Sequence, residues 1–174
     1  MGRKVEVKEY KAQWKRDFQS EKELLQELLG YQLRTVHHIG STSIPGMHAK
    51  PVIDILIEVL DIDAMRACKE KMEAAGYKSH GENGIAGRRF YSKGGNERTH
   101  HVHIFGVGDP EIARHLAFRD YLINHPDEAR KYAELKMNLA RRYSADMESY
   151  ISGKDAFIKD IDKKASTWKR EREL

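Results

Sequence analysis

The stretch that most constrains this chain is Val52-Ile53-Asp54-Ile55-Leu56-Ile57-Glu58-Val59-Leu60, opened by Pro51. A short apolar run rich in β-branched residues reads as a buried strand. A membrane span needs about 20 apolar residues, so this run is part of a folded core. Side chains alternate along a strand, which puts Asp54, Leu56 and Glu58 on one face. An acid inside such a strand is costly unless it is paired or holds a metal. Two readings of Asp54 stay open: an ion pair with a nearby Lys or Arg, or a divalent cation shared with a bound phosphate. Glu58, nearer the strand end, reads as solvated.

The other elements follow from spacing. Val5 and Val7 alternate like a short strand. Phe18, Leu25, Leu28 and Leu29 then fall at helical spacing, and Gly30 can end that helix. Residues 35–39 read as a strand, residues 64–75 as a helix closed by Gly76, and residues 77–80 as a strand. Residues 88–93 and 100–106 form a candidate antiparallel pair joined by a polar Gly-Gly-Asn loop. Asp109-Pro110-Glu111 and His125-Pro126-Asp127-Glu128 are both helix starts, with proline in the first turn and acids at the positive end. Ala129, Tyr132, Ala133, Lys136, Leu139, Ala140 and Tyr143 share one face, broken only by Lys136. Phe157, Ile158, Ile161 and Trp168 give a last helix its packing face, with a charged end expected to fray. Strands and helices mixed first and helices alone afterwards predict one α+β or α/β domain over residues 1–174, with a helical C-terminal part.

The chemistry-bearing residues cluster. Gly40-Ser41-Thr42-Ser43 follows a strand, and backbone N–H groups there can aim at an anion such as phosphate; a plain capped loop is the other reading. His101 and His103, two apart, face the same way, with His100 opposite. Imidazoles so placed can bind a metal, donate to phosphate, or act as acid or base; two hydrogen-bonded histidines in a polar cleft fit equally. Lys50, Arg88, Arg119 and Lys136 offer a basic lining for an anionic substrate. Arg119-Asp120 also reads as a simple helix salt bridge, and Lys136 as pointing into a cleft or an ion pair. Trp14 and Trp168 read as packing residues.

Charge and cysteine narrow the partners. Lys and Arg number 31 against 27 Asp and Glu, a net charge of +4. That balance suits an anionic small molecule and is too weak for a nucleic-acid binder. The one cysteine, Cys68, allows no internal disulfide and points to a reducing compartment. The first nine residues carry no apolar stretch that could serve as a signal peptide, so a cytoplasmic location is expected.

Gly-Ser followed about a dozen residues later by an Asp on an apolar strand resembles the nucleotidyltransferase superfamily. The longer strings His-Ile-Gly-Ser-Thr-Ser-Ile-Pro-Gly (38–46) and Ala-Lys-Pro-Val-Ile-Asp-Ile (49–55) are similar to the GrpB family, also called UPF0157. So, in order, are Gly87-Arg88-Arg89-Phe90-Tyr91, His100-His101-Val102-His103, His115-Leu116-Ala117-Phe118-Arg119-Asp120 and Gly153-Lys154-Asp155-Ala156-Phe157. The resemblance implies a nucleotidyltransferase-like fold of the α+β class, a mixed β-sheet with flanking helices and a helical C-terminal part. It implies phosphate contacts from Gly40, Ser41, Thr42, Ser43, Lys50, Arg88 and Arg119, with catalytic roles for Asp54, His101 and His103. Asp54 and Glu58 become candidate ligands of Mg²⁺ or Mn²⁺. The chain departs from the superfamily pattern at Leu56, where a second carboxylate is usual, and at His101 and His103, where a third belongs. Two functions follow: transfer of a nucleotidyl or phosphoryl group to an unknown acceptor, or a module that binds a nucleotide or phosphometabolite without turnover. The family's occurrence in fusion with dephospho-CoA kinase suits a coenzyme or nucleotide context for both.

Overall fold

The computed structural model describes residues 3–173. The apolar run at 52–60 becomes β2 (Ile53–Val59), the second strand of a five-stranded sheet ordered β1-β2-β5-β4-β3. β1 (Leu33–Ile39) pairs with β2 antiparallel, β5 (His100–Gly106) pairs with β2 parallel, and β4 (Arg89–Lys93) joins β5 to β3 (Tyr77–Ser79) through antiparallel ladders. The sheet is therefore mixed, as expected for an α+β domain.

Burial explains the strand's composition. Ile53, Ile55, Ile57 and Val59 face one layer, where Trp14, Leu25 and Leu29 of α1 (Gln13–Leu29) and Met72 of α2 (Lys69–Ala74) complete a core. The opposite face carries Asp54, Leu56 and Glu58. Leu56 is fully buried there with Ile39, Phe105 and Ile112. Over that face lie three C-terminal helices, α3 (Pro110–Asn124), α4 (Pro126–Arg142) and α5 (Met147–Glu173). They share a second core built on Tyr121, Leu122, Tyr132, Ala133 and Ile161.

Some local expectations shift. Val5 and Val7 make no strand; that segment touches the fold through an isolated bridge between Lys8 and Ala49. The helix expected at 64–75 splits into a 3₁₀ stretch, Ile62–Cys68, and the short α2. Asp61 begins it by accepting from the Asp63 N–H at 3.0 Å, an end cap that fits either helix type. The charged C-terminal end stays helical through Glu173. Asp109 caps α3 by accepting from the Glu111 N–H at 2.9 Å, and Pro110 and Pro126 occupy first-turn positions as read. No helix of the described residues is long and apolar enough to cross a membrane.

Candidate functional site

β1 ends and β2 and β5 begin at the same edge of the sheet, so the Gly40–Ser41 turn, Asp54 and the histidine strand come together. In the parallel ladder Asp54 lies beside His101 and Leu56 beside His103. The two imidazoles converge on one carboxylate oxygen: His103 Nε2 lies 3.1 Å and His101 Nδ1 3.5 Å from Asp54 Oδ1. Burial alone would raise the Asp54 carboxyl. The hydrogen bonds from His101 and His103 outweigh it and hold the group well below the usual carboxylate range. Asp54 is therefore the anion of the site, with its side chain 29% exposed.

Gly40 serves that carboxylate. Its φ is +70°, a conformation glycine adopts without strain. A Cβ there would stand 2.7 Å from Asp54 Oδ2. The open approach expected for a ligand is thus occupied by Asp54 itself. Ser41 and Thr42 line the pocket, but Ser43 does not: its Oγ and its N–H both go to the Gly40 carbonyl, at 2.5 and 3.1 Å. Thr42 Oγ1 is taken by His38 Nε2 at 2.9 Å.

The pocket over this edge encloses about 240 Å³. Its far wall is helical and basic. Lys136, only 2% exposed, donates from Nζ to Ser41 Oγ at 2.7 Å and lies 4.4 Å from the centre of the Tyr132 ring. Lys50 and Lys154 flank the Tyr150 ring at 5.5 and 4.7 Å. Tyr150 lines the same pocket and is fully buried, and its hydroxyl has no hydrogen-bond partner among the described residues. Burial lowers all three lysines, Lys154 to about 8 and Lys136 well below its ordinary value, helped by their neighbours' charge. No carboxylate hydrogen-bonds Lys136. Against these cations the lining offers one acid, Asp54.

Three expected ligand contacts fall elsewhere. Glu58 shares a face with Asp54 but sits four residues along the strand, roughly 13 Å away at 3.3 Å per residue, and pairs with Arg34 at 3.5 Å. It is no partner to Asp54 on a metal. Arg119 is the salt bridge of the alternative reading: Nε donates to Asp120 at 2.9 Å and Nη1 to the His38 carbonyl at 3.1 Å, tying α3 to β1. Arg88 is buried behind His103, donating to the carbonyls of Glu82 and Asn83 and to His103 Nδ1 at 3.3 Å. Both guanidiniums support the site without lining it. Among the described residues no group of three His, Cys, Asp or Glu side chains is arranged to hold a metal ion.

Sequence reasoning missed Lys154, Tyr150, Arg98, Arg114 and the role of His115. Lys50 and Lys136, both read as basic lining, do line the pocket, and Lys136 announces itself by breaking an apolar stripe. His115, which also lines the pocket, is pushed by burial down to about 3, and His38 to about 4. Both stay neutral in the fold, whereas in the unfolded chain each takes a proton near pH 6.5. The unfolded state then binds more protons, so stability is full above pH 6.5 and falls as the pH drops toward 4. Urea midpoints should fall between pH 7 and pH 5, and the fall should shrink in His115→Phe.

The model of the GrpB protein family matches residues 4–164. UPF0157 protein YqkA of Bacillus subtilis is 52% identical over 170 residues, 98% of this chain and 50% of that protein. This chain thus spans about half the length of that relative. A dephospho-CoA kinase of Mycolicibacterium paratuberculosis is 28% identical over 80% of this chain and 40% of its own length. Among solved structures, the conserved protein GrpB from Enterococcus faecalis superposes with a TM-score of 0.90 at 42% identity, covering 94% of this chain and 99% of that one. The Cid1 poly(U) polymerase gives a TM-score of 0.48 at 12% identity, over 75% of this chain and 45% of that one.

Proposed function

The chain belongs to the GrpB family, and on that footing we propose that its pocket binds a phosphorylated small molecule. Lys50, Lys136 and Lys154 hold the phosphate, and Ser41 and Asp54 orient the rest. What carries this reading is the convergence of buried Lys136, half-buried Lys50 and Lys154 and an unpartnered Tyr150 hydroxyl on a pocket whose lining has a single acid. Buried ammonium groups without counter-anions are unfavourable in the empty protein. An incoming phosphate dianion supplies the missing charge and an acceptor for the hydroxyl.

The test is a thermal-shift and calorimetric series with inorganic phosphate, AMP, ATP, dephospho-CoA and the matching nucleosides; dephospho-CoA joins the series because a relative bears the kinase name. A phosphorylated probe at 100 times its Kd should stabilise the fold by about 2.7 kcal/mol, a rise of roughly 5–10 °C in Tm. At pH 8 binding should also take up protons. Lys154, lowered to about 8 when empty, is pulled toward its ordinary value by the bound anion. Calorimetry in buffers of different ionisation enthalpy reads that uptake. Stabilisation by nucleosides but by no phosphorylated probe would refute the phosphate assignment.

Nucleotidyl transfer is the second reading, favoured by the anionic Asp54 beside the Gly40–Ser41 turn. The residues present do not fit a two-metal centre: Leu56 occupies the second carboxylate position, and His101 and His103 donate to Asp54 from the third. One Mg²⁺ or Mn²⁺ held between Asp54 and the ligand's own phosphates is what this chain could support. Pyrophosphate release from nucleoside triphosphates with Mg²⁺ or Mn²⁺ would establish transfer over binding alone.

A further inference from the structure

Each of the three histidines lining the pocket is approached by an arginine of its own. Arg98 Nη1 lies 3.3 Å from His101 Nε2, Arg88 Nη1 3.3 Å from His103 Nδ1, and Arg114 Nη2 3.3 Å from His115 Nε2. A guanidinium has five donors and no acceptor, and it stays protonated in proteins. The ring nitrogen it meets must therefore present a lone pair. The proton of a neutral imidazole then sits on the other nitrogen. For His103 that is Nε2, which faces Asp54 Oδ1 at 3.1 Å, and for His101 it is Nδ1, which faces the same oxygen at 3.5 Å. Both rings are thus N–H donors to Asp54, with their lone pairs already used.

We infer that Arg88, Arg98 and Arg114 are positioning residues that lock the three pocket histidines as neutral donors, each in one tautomer. A locked ring cannot take a proton from a substrate, since its lone pair faces a guanidinium. Nor can it ligate a metal on the Asp54 side, since an N–H points there. The histidines replace the superfamily's third carboxylate with hydrogen bonds that fix Asp54 as the anion. Asp54, with Oδ1 toward the two rings and Oδ2 against Gly40, is left as the one anion lining the pocket, and the pocket's free positive charge is confined to the lysines. This selects a ligand that carries a phosphate and also presents a hydrogen-bond donor, such as a hydroxyl, to the Asp54 carboxylate. The ligand part of the inference rests on the phosphate reading above; the tautomers do not.

The experiment is therefore made on the ligand-free chain. Protein labelled with ¹⁵N in histidine is observed at pH 7 by long-range ¹H–¹⁵N correlation, which distinguishes Nδ1–H, Nε2–H and imidazolium. The expected pattern is Nε2–H at His103 and Nδ1–H at His101 and His115, the latter being the form free imidazole favours less. Arg98→Met should move His101 alone, to Nε2–H or imidazolium. Arg98→Lys, which also can only donate, should hold the original tautomer at least in part. Imidazolium or Nε2–H at His101 in the unaltered chain overturns the inference, as does an unchanged His101 in folded Arg98→Met. Should Arg98→Met not fold, the three tautomers of the unaltered chain decide alone. Failure of every phosphorylated probe to bind would leave this result standing and remove only the ligand assignment.

Discussion

Replacing Lys136 with methionine is expected to make the empty protein more stable and to cost it most of its affinity for phosphorylated ligands. The ammonium is 2% exposed, bonded to a serine hydroxyl and set over an aromatic ring. Neither partner supplies negative charge to offset the lost hydration. Methionine fills a similar volume without a buried charge; replacing even a paired buried charge by apolar groups is often neutral or stabilising by about 1–4 kcal/mol, and Lys136 has no ion pair to lose. A charge-assisted contact to phosphate contributes roughly 1.5–3 kcal/mol, so affinity should fall by about one to two orders of magnitude. Urea unfolding of the empty chain and calorimetric titration with the best-binding probe measure the two halves. A variant that is less stable yet binds normally would make Lys136 a structural residue and take away the centre of the proposed anion site. The opposed signs are what a residue kept for function at the expense of stability should show.

The second large effect is expected at Gly40. Alanine there must adopt φ +70°, which costs a residue with a Cβ roughly 1–3 kcal/mol, and its Cβ meets Asp54 Oδ2 at 2.7 Å. The collision is with the side chain that His101 and His103 hold in place, so Asp54 cannot turn aside without breaking those bonds. Gly40→Ala should therefore cost more than strain alone and weaken ligand binding with it. A double-mutant cycle separates the causes. If Asp54 is the obstacle, Asp54→Ala should recover the steric part, with a coupling of about 0.5–3 kcal/mol. Additive effects would leave backbone strain as the whole explanation and free the turn of any duty to Asp54.

How much could be read beforehand depended on range. Strand alternation needs only neighbours two apart, and it put Asp54 with Leu56 and His101 with His103 correctly. Parity says which face a residue takes, however, and not how far along it lies. Glu58 passed that test and still stands at the other end of β2, on Arg34. Lys136 was visible because an ammonium in an apolar helical stripe violates a local rule. Lys154 and Tyr150 violate none: only the docking of α5 against the sheet edge turns a lysine and a tyrosine into pocket lining. Arg88 and Arg119 failed for the complementary reason. Their sequence surroundings suggested a ligand, while carbonyls and side chains brought near by the fold had already claimed their donors.

The bond from Lys136 to Ser41 spans 95 residues, and Lys154 reaches the pocket from further along still. Asp54, its two imidazoles and Lys50 all belong to the sheet half of the chain, whereas Lys136 and Lys154 come from helices that follow it. Docking of α4 and α5 on the sheet brings Lys136 and Lys154 into one pocket with Lys50. On the phosphate reading, a bound phosphate would supply the counter-charge that the helical and sheet halves lack where they meet.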